Sequence, residues 1–241
     1  MEWRDRGILL GTTPFGESSV IIDALTQENG RVRAVLRAGQ SRKFRPILQV
    51  GNVLDITWRA RLVEHMGSVQ IDVLKSYPEI LDSRMTLLGM TSLTSMLTSF
   101  LEDHDPQFHT YNTTEKLSEL LIHPDMWSIG YVFWELSLLE ALGFGIDASK
   151  CVVTGDVENL MYLSPKSGCA VSERAAGQWV DRLLPMPKIL TSKEKSVADV
   201  FDCLQVLSYY WNNKVLPGLG VKIMPAARQR FIDLMQRHTS V

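Results

Sequence analysis

Apolar and polar positions follow two different rhythms along this chain. Up to about residue 78 the apolar residues fall in short runs rich in β-branched side chains: GILLGT (7–12), SSVIIDAL (18–25), RVRAVLR (31–37), VLDITWRA (53–60) and GSVQIDVLK (67–75). RVRAVLR sets Val32 between Arg31 and Arg33, the period of two that marks a half-buried strand. Asn29-Gly30, between the second and third runs, is a dipeptide that supplies the positive φ of a tight hairpin turn. Gly16, Gly39, Gly51 and Gly67 fall in or beside the other gaps. Five short strands with no room for crossover helices predict a small closed antiparallel barrel. Closure removes the exposed edges that a flat sheet would leave.

From about residue 79 the rhythm becomes helical. Met85, Leu88, Leu93, Met96, Leu97, Phe100 and Leu101 recur mostly every three or four positions and predict a helix near 80–103, ended by the polar EDHDP. A second helix is expected over roughly 126–142, with Ile129, Phe133, Leu136 and Leu139 inward and Gly143 and Gly145 stopping it. A third is expected to begin near Thr191, where Thr191 and Glu194 have the spacing of a capping box, with Val197, Phe201, Leu204 and Leu207 on one side. The last starts at Pro225, allowed in a first helical turn, and presents Phe231, Leu234 and Met235. A Gly- and Pro-punctuated insert, about 146–190, interrupts the helices. The expected organisation is a barrel domain over 1–78 and an α-helical domain over 79–241.

Composition narrows the class. With 241 residues, 45% hydrophobic and 22% charged, the chain is an ordinary globular protein, which excludes disordered, collagen-like and coiled-coil architectures. The three cysteines, Cys151, Cys169 and Cys203, are too few and too scattered for a secreted disulfide framework. MEWRDRG places acids and arginines where a signal peptide needs an apolar stretch, and the most apolar run, Ile129 to Leu142, is interrupted by Glu135 and Glu140. The expectation is a soluble, intracellular protein with no membrane partner.

Charge changes the picture locally. The chain carries a net −2, yet residues 31–61 hold Arg31, Arg33, Arg37, Arg42, Lys43, Arg45, Arg59 and Arg61 against the single acid Asp55, a local +7. Most of these bases lie on one strand and the loop after it, RVRAVLRAGQSRKFRP, with Phe44 between two of them. Cations of this kind hold phosphates and release counterions, and an aromatic face stacks a base. Trp58 is a second aromatic candidate and equally a core residue. A solvated charged strand face is the plainer reading of the same cluster.

Other chemistry is poorly represented. No C-x-x-C or H-x-x-x-H pair occurs, and His65, His104, His109, His123 and His238 are scattered. GLGVK (218–222) lacks phosphate-loop spacing, and no G-x-S-x-G is present. Glu102, Asp103 and Asp105 sit in a polar stretch with little apolar surface to shift their pKa values.

Read in order, the motifs resemble one family, the bacterial recombination mediator RecO. The resemblance runs through WRDRGILL (3–10), GESSVII (16–22), NGR (29–31), GQSRKFRP (39–46), FWELSLLEALGF (133–144), CVVTG (151–155), YLSPKSG (162–168) and MPAAR (224–228). It implies a multidomain α+β fold: an N-terminal OB-fold β-barrel, then an α-helical domain with a zinc-ribbon-like insert. It also implies binding of single- and double-stranded DNA and annealing of complementary strands. The implied partners are RecR, in many bacteria RecF, and the C-terminal tail of the single-strand-binding protein; with them such proteins load RecA onto coated strands. A cytoplasmic, nucleoid-associated location, no cofactor and no catalytic step go with this reading. Two rivals stand beside it: a non-enzymatic protein adaptor with a structural barrel, and an enzyme using Cys151 or Cys169.

The insert departs from the family pattern. Many relatives carry two C-x-x-C pairs here, whereas this chain has Cys151 with Thr154, and aligning SPKSG puts Ser172 and Ala175 at the second pair. The insert therefore reads as a zinc finger that has lost its ligands, its shape held by apolar residues such as Val153, Tyr162 and Leu163. Hydroxyl and methyl groups do not replace thiolates, so the purified protein is expected to hold no stoichiometric zinc and to keep its fold in chelator. Elemental analysis finding about one zinc per chain contradicts this.

Overall fold

A computed structural model describes residues 1–62 and 66–239. His65 lies outside them, as does the side chain of His238. The chain compacts into two units, Met1–Ile122 and His123–Val241. The change from strand to helix comes earlier, because two helices fold with the strands of the first unit.

Five strands form the first part of that unit: β1 (Glu2–Phe15), β2 (Ser19–Thr26), β3 (Arg31–Leu36), β4 (Val53–Arg59) and β5 (Ser68–Lys75). They close in the order β1-β2-β3-β5-β4, and the order fits an OB-fold. The closure differs from the all-antiparallel expectation at one seam, where β3 and β5 run parallel through Val35–Ser68 and Leu36–Val69. Strand direction cannot alternate around a ring of five, so one pair must be parallel. In β3 the period of two holds: Val32, Ala34 and Leu36 are buried, while Arg33 is exposed and Arg31 half-buried. Trp58 belongs to the core at 1% exposure. It stacks on Trp3 at 5.4 Å, and its Nε1 donates to the Met66 carbonyl at 3.2 Å.

The β2–β3 turn is wider than the dipeptide predicts. Only Gly30 of the pair takes a positive φ, +69°, and the loop closes when the Thr26 amide donates to the Gly30 carbonyl at 2.8 Å. The buried Asp5 carboxylate accepts from the Glu28 amide at 2.9 Å and from Asn29 Nδ2 at 2.8 Å, fixing the extra residues. A Cβ on Gly30 would stand 2.1 Å from the Asp105 carbonyl oxygen, so both backbone angle and space require glycine.

Helices α1 (Arg84–Phe100) and α2 (Phe108–Glu119) complete the unit. The Ser83 hydroxyl caps α1 by accepting from the Thr86 amide at 3.0 Å. Hydrophobic periodicity did not predict α2, because its inner face is largely hydroxylated: Thr110, Thr114 and Ser118 are buried beside Tyr111 and Leu117. Thr114 donates to the Thr110 carbonyl at 2.7 Å and Ser118 to the Thr114 carbonyl at 3.0 Å. Backbone acceptors thus satisfy the Thr114 and Ser118 hydroxyls inside the unit.

In the second unit α3 (Pro124–Ala141) is followed by a small sheet in the order β7-β6-β8, from β6 (Leu160–Leu163), β7 (Ala170–Ser172) and β8 (Leu184–Pro185). Short helices α4 (Glu173–Ala176) and α5 (Lys188–Thr191) flank it. Then come α6 (Ala198–Tyr210), a π-helical turn over Trp211–Val215, α7 (Leu216–Leu219) and α8 (Ala226–Thr239). The expected capping box does not form. Thr191 ends α5, Lys195 Nζ donates to the Ile189 and Ser192 carbonyls at 2.6 Å, and the Ser196 hydroxyl accepts from the Ala198 amide at 3.2 Å. Ser196 lies nearer the true start of α6, so it takes the orphan donor.

Of the four residues expected inward on α3, Leu139 is buried, Ile129 and Leu136 are half-buried, and Phe133 faces out. Trp127, Tyr131, Trp134 and Leu138 are buried, while Phe133 is 40% exposed and has Lys195 Nζ 5.5 Å from its ring centroid. Glu135, which interrupts the apolar run in sequence, is fully buried. It pairs with Arg228 Nη2 at 2.6 Å and accepts from Trp211 Nε1 at 2.8 Å, while Arg228 Nη1 reaches the Ser208 hydroxyl at 2.8 Å. Arg228 is 2% exposed, which removes it from any surface role. Removing one partner of a buried pair strands the other charge, so Arg228→Ala is expected to destabilise the protein by about 3–5 kcal/mol. Denaturant titration reads this directly; a loss below about 1 kcal/mol would mean the pair is replaceable.

Candidate nucleic-acid interface

The basic segment leaves β3 at Leu36 and returns to the barrel at Val53. Its backbone is a chain of tight turns: the Phe44 amide donates to the Ser41 carbonyl at 3.1 Å, and the Ile47 and Leu48 amides donate to the Phe44 carbonyl at 3.0 and 2.8 Å. Two side-chain amides pin its ends. Gln40 Nε2 donates to the Gly16 carbonyl at 3.1 Å and to the Ser19 carbonyl at 2.9 Å, tying the loop to the tip of the β1–β2 hairpin. The fully buried Asn52 donates through Nδ2 to the Pro46 and Ile47 carbonyls at 3.2 and 3.0 Å and accepts from the Tyr77 amide at 3.3 Å. Phe44 adds a third anchor by packing partly against the barrel core. The loop is therefore a fixed platform rather than the adaptable one that its Gly and Pro boundaries imply.

A groove of about 540 Å³ opens where this platform meets β4 and β5. Arg37, Lys43 and Arg59 supply its cations and Phe44 its aromatic edge, with Lys43 Nζ 5.6 Å from the Phe44 ring centroid. Thr57, Gln70 and Asp72 give it polar walls. Phosphates suit the cationic rim, and base edges suit the amide, hydroxyl and carboxylate.

The basic residues singled out in sequence separate into three groups. Arg37, Lys43, Phe44 and Arg59 line the groove. Arg33, Arg42 and Arg45 are exposed near it in sequence but do not line it, and among the described residues Arg33, Arg37, Arg42, Lys43 and Arg45 hold no ion pair. Arg61 is exposed just after β4. Arg31 is committed elsewhere: its guanidinium pairs with Asp23 at 2.6 Å and Asp103 at 3.3 Å, donates to the Leu101 carbonyl at 3.2 Å, and its side chain is 13% exposed. Arg59 is shared, since Nη2 also bonds Glu2 at 2.8 Å and holds the Glu2 carboxyl below the usual carboxylate range. Asp103, read as a solvated loop carboxylate, has this structural partner in Arg31. Gln40 and Asn52, the anchors, were missed. An isolated amide beside an apolar strand (GNVLD, 51–55) is the only trace they leave in sequence.

The insert offers no comparable site. Ser172 Oγ donates to Cys151 Sγ at 3.5 Å, and Thr154 Oγ1 stands 3.5 Å from Ser172 Oγ and donates to Asp156 at 2.7 Å. Burial raises the Cys151 thiol, but hydroxyl and amide donors from Ser172 and Thr154 outweigh it and bring the thiol down to about 6. One sulfur with two hydroxyls does not fit a structural zinc, and among the described residues no group of three or more His, Cys, Asp or Glu could hold a metal. Cys151 instead packs with Val171 and Ala176, with Ala175, Leu160 and Tyr162 at the edge. Leu163 is buried, whereas Val153, expected to help hold the insert, is 68% exposed. Burial pushes the Cys203 thiol up, which keeps it protonated. Among the described residues no helix is long and apolar enough to cross a membrane.

Family models and individual relatives agree on what this architecture belongs to. The model for the recombination protein O N terminal matches residues 1–77, and that for the recombination protein O C terminal matches residues 82–220. DNA repair protein RecO of Ruegeria sp. (strain TM1040) is 40% identical over 239 residues, covering 98% of this chain and 99% of the relative. The RecO protein of Cereibacter sphaeroides (strain KD131 / KCTC 12085) is 41% identical over 238 residues, with 98% and 99% covered. That of Roseobacter denitrificans is 40% identical over 239 residues at the same coverage. Matched by both family models and by relatives along almost its whole length, the chain belongs to the RecO family of DNA repair proteins.

Proposed function

We propose that this protein is a DNA-binding recombination mediator that captures single strands in the groove of the barrel, anneals complementary strands and helps load RecA onto strands coated by single-strand-binding protein. The observation that carries the reading is the meeting of Arg37, Lys43, Arg59 and Phe44 around one groove, beside further cations with no ion pair among the described residues. A solvated charged strand face gives no reason for these cations to surround a concave surface with a polar wall. A protein adaptor with a structural barrel gives none either.

In this reading Arg33, Arg37, Arg42, Lys43 and Arg45 neutralise phosphates, Arg59 exchanges Glu2 for a phosphate, and Arg61 extends the track. Phe44 and the Thr57–Gln70 wall meet bases, and Arg31 positions β3. Single strands fit the groove best, because their bases are free to turn toward the wall; duplex binding uses the same cations through phosphates alone. Covering the phosphates of two strands lowers their mutual repulsion and so favours annealing. Partners of the recombination pathway, RecR, RecF and the tail of the single-strand-binding protein, act with the protein at a bacterial, cytoplasmic site. No bond is made or broken by the protein itself.

Neutralising about five phosphates on a single strand gives a slope of log affinity against log salt near −3.5. Changing Arg42, Lys43 and Arg45 together to Glu is expected to weaken binding at least about tenfold and to flatten the slope by about 2, with strand annealing falling in parallel. The melting temperature is expected to stay put, because exposed charges contribute little to stability. Unchanged affinity and slope in the folded triple variant would move the site away from this loop.

A further inference from the structure

The β1–β2 hairpin projects an aromatic ring that neither the barrel core nor the groove uses. Phe15 ends β1 and is 50% exposed, and residues 12–18 around it are all exposed. The tip is otherwise small or polar (Thr12, Thr13, Gly16, Ser18), with one acid, Glu17, and one further apolar residue, Pro14. A lone ring in such surroundings is too small for a protein-docking patch, which needs a few hundred Å² of contiguous apolar surface. It suits a flat partner.

Strand register ties this ring to the groove. Pro14 pairs with Val20, Val20 with Leu36, and Leu36 with Val69, so one row crosses four strands from the hairpin into the groove, where Leu36 and Val69 are lining residues. Neighbouring strands lie about 4.8 Å apart, which puts the hairpin about 10 Å from Leu36. Phe15 follows Pro14 and pairs with Ser19, so it belongs to the opposite side chain parity from the buried Val20 and Leu36 and faces outward. The link is also direct. Gln40, between Arg37 and Arg42, hydrogen-bonds the carbonyls of Gly16 and Ser19 on either side of the tip, and its amide donates to the Ser18 carbonyl at 3.0 Å.

We propose that Phe15 is a base-stacking platform that extends the single-strand site beyond the groove: phosphates track along Arg37, Arg42 and Lys43 while a base leaving the groove lies on the Phe15 ring. The inference rests on the groove being the DNA site, and hairpin and strand loops at this end of a small barrel are well placed for nucleic-acid contact. Stacking is sequence-tolerant, so the platform adds affinity for any single strand and little for duplex, whose bases are already stacked.

The test is fluorescence titration of the full chain with single-stranded and duplex oligonucleotides across a salt series, using Phe15→Ala, Phe15→Leu and Phe15→Trp. Phe15→Ala is expected to lose about fivefold or more in single-strand affinity, with the salt slope and duplex affinity unchanged. Phe15→Leu should not rescue it, because apolar bulk without a ring does not stack. Phe15→Trp should restore binding and show added tryptophan emission that is quenched on binding. Wild-type affinity in Phe15→Ala, or full rescue by Phe15→Leu, overturns the platform. If the Arg42, Lys43 and Arg45 variant loses binding while Phe15→Ala does not, only this inference fails. If the triple variant also binds normally, the groove itself is misassigned.

Discussion

The buried amide of Asn52 is the constraint on which the basic loop and the groove beside it depend. Its two donors go to the Pro46 and Ile47 carbonyls and its oxygen takes the Tyr77 amide, so one side chain closes the end of the basic loop and fixes the exit of β5. Leaving such a group unpaired inside a core costs about 1–3 kcal/mol, so the loop is held in one shape whenever the barrel is folded. Gln40, which is exposed, ties the other end to the hairpin through the Gly16 and Ser19 carbonyls without that burial penalty. Between these anchors Arg42, Lys43 and Arg45 stand exposed, and Lys43 lines the groove. A fixed array loses little entropy on binding, which favours affinity without a large interface.

The arginines show how much context decides. Arg31 and Arg37 lie on the same strand and loop, yet Arg31 is clamped by Asp23, Asp103 and the Leu101 carbonyl, whereas Arg37 opens into the groove. In the other unit Arg228 is enclosed with Glu135, Trp211 and Ser208. Where acids and carbonyls surround a guanidinium it holds the fold. Where none do, its charge is available to a partner. Net charge says nothing of this, because a chain at −2 still gathers five bases and no acid over residues 33–45.

Legibility in the sequence followed the physics of each signal. The five strands were readable because β-branched runs alternate between glycine-marked gaps, and α8 because Phe231, Leu234 and Met235 recur at helical spacing. The parallel β3–β5 seam is a property of an odd ring, which no local run records. Helix α2 was hidden because buried Thr114 and Ser118 look polar while bonding their own backbone. The inner face of α3 was read correctly only at Leu139, because apolar residues surround that helix, and Glu135, taken as an interruption, is fully enclosed. The candidate site was half visible. Charge clustering drew attention to residues 31–61, but only tertiary pairing separates Arg31 from Arg37, and the anchors Gln40 and Asn52 carry no charge or motif.

The most direct test of the central claim is amide hydrogen exchange on the full-length chain with and without a short single-stranded oligonucleotide. If single strands lie in the groove, protection gained on binding should fall on residues 36–45, 57–59 and 68–72, the elements that build it. Protection confined to the helices of residues 123–239, with none on the barrel, would contradict the account.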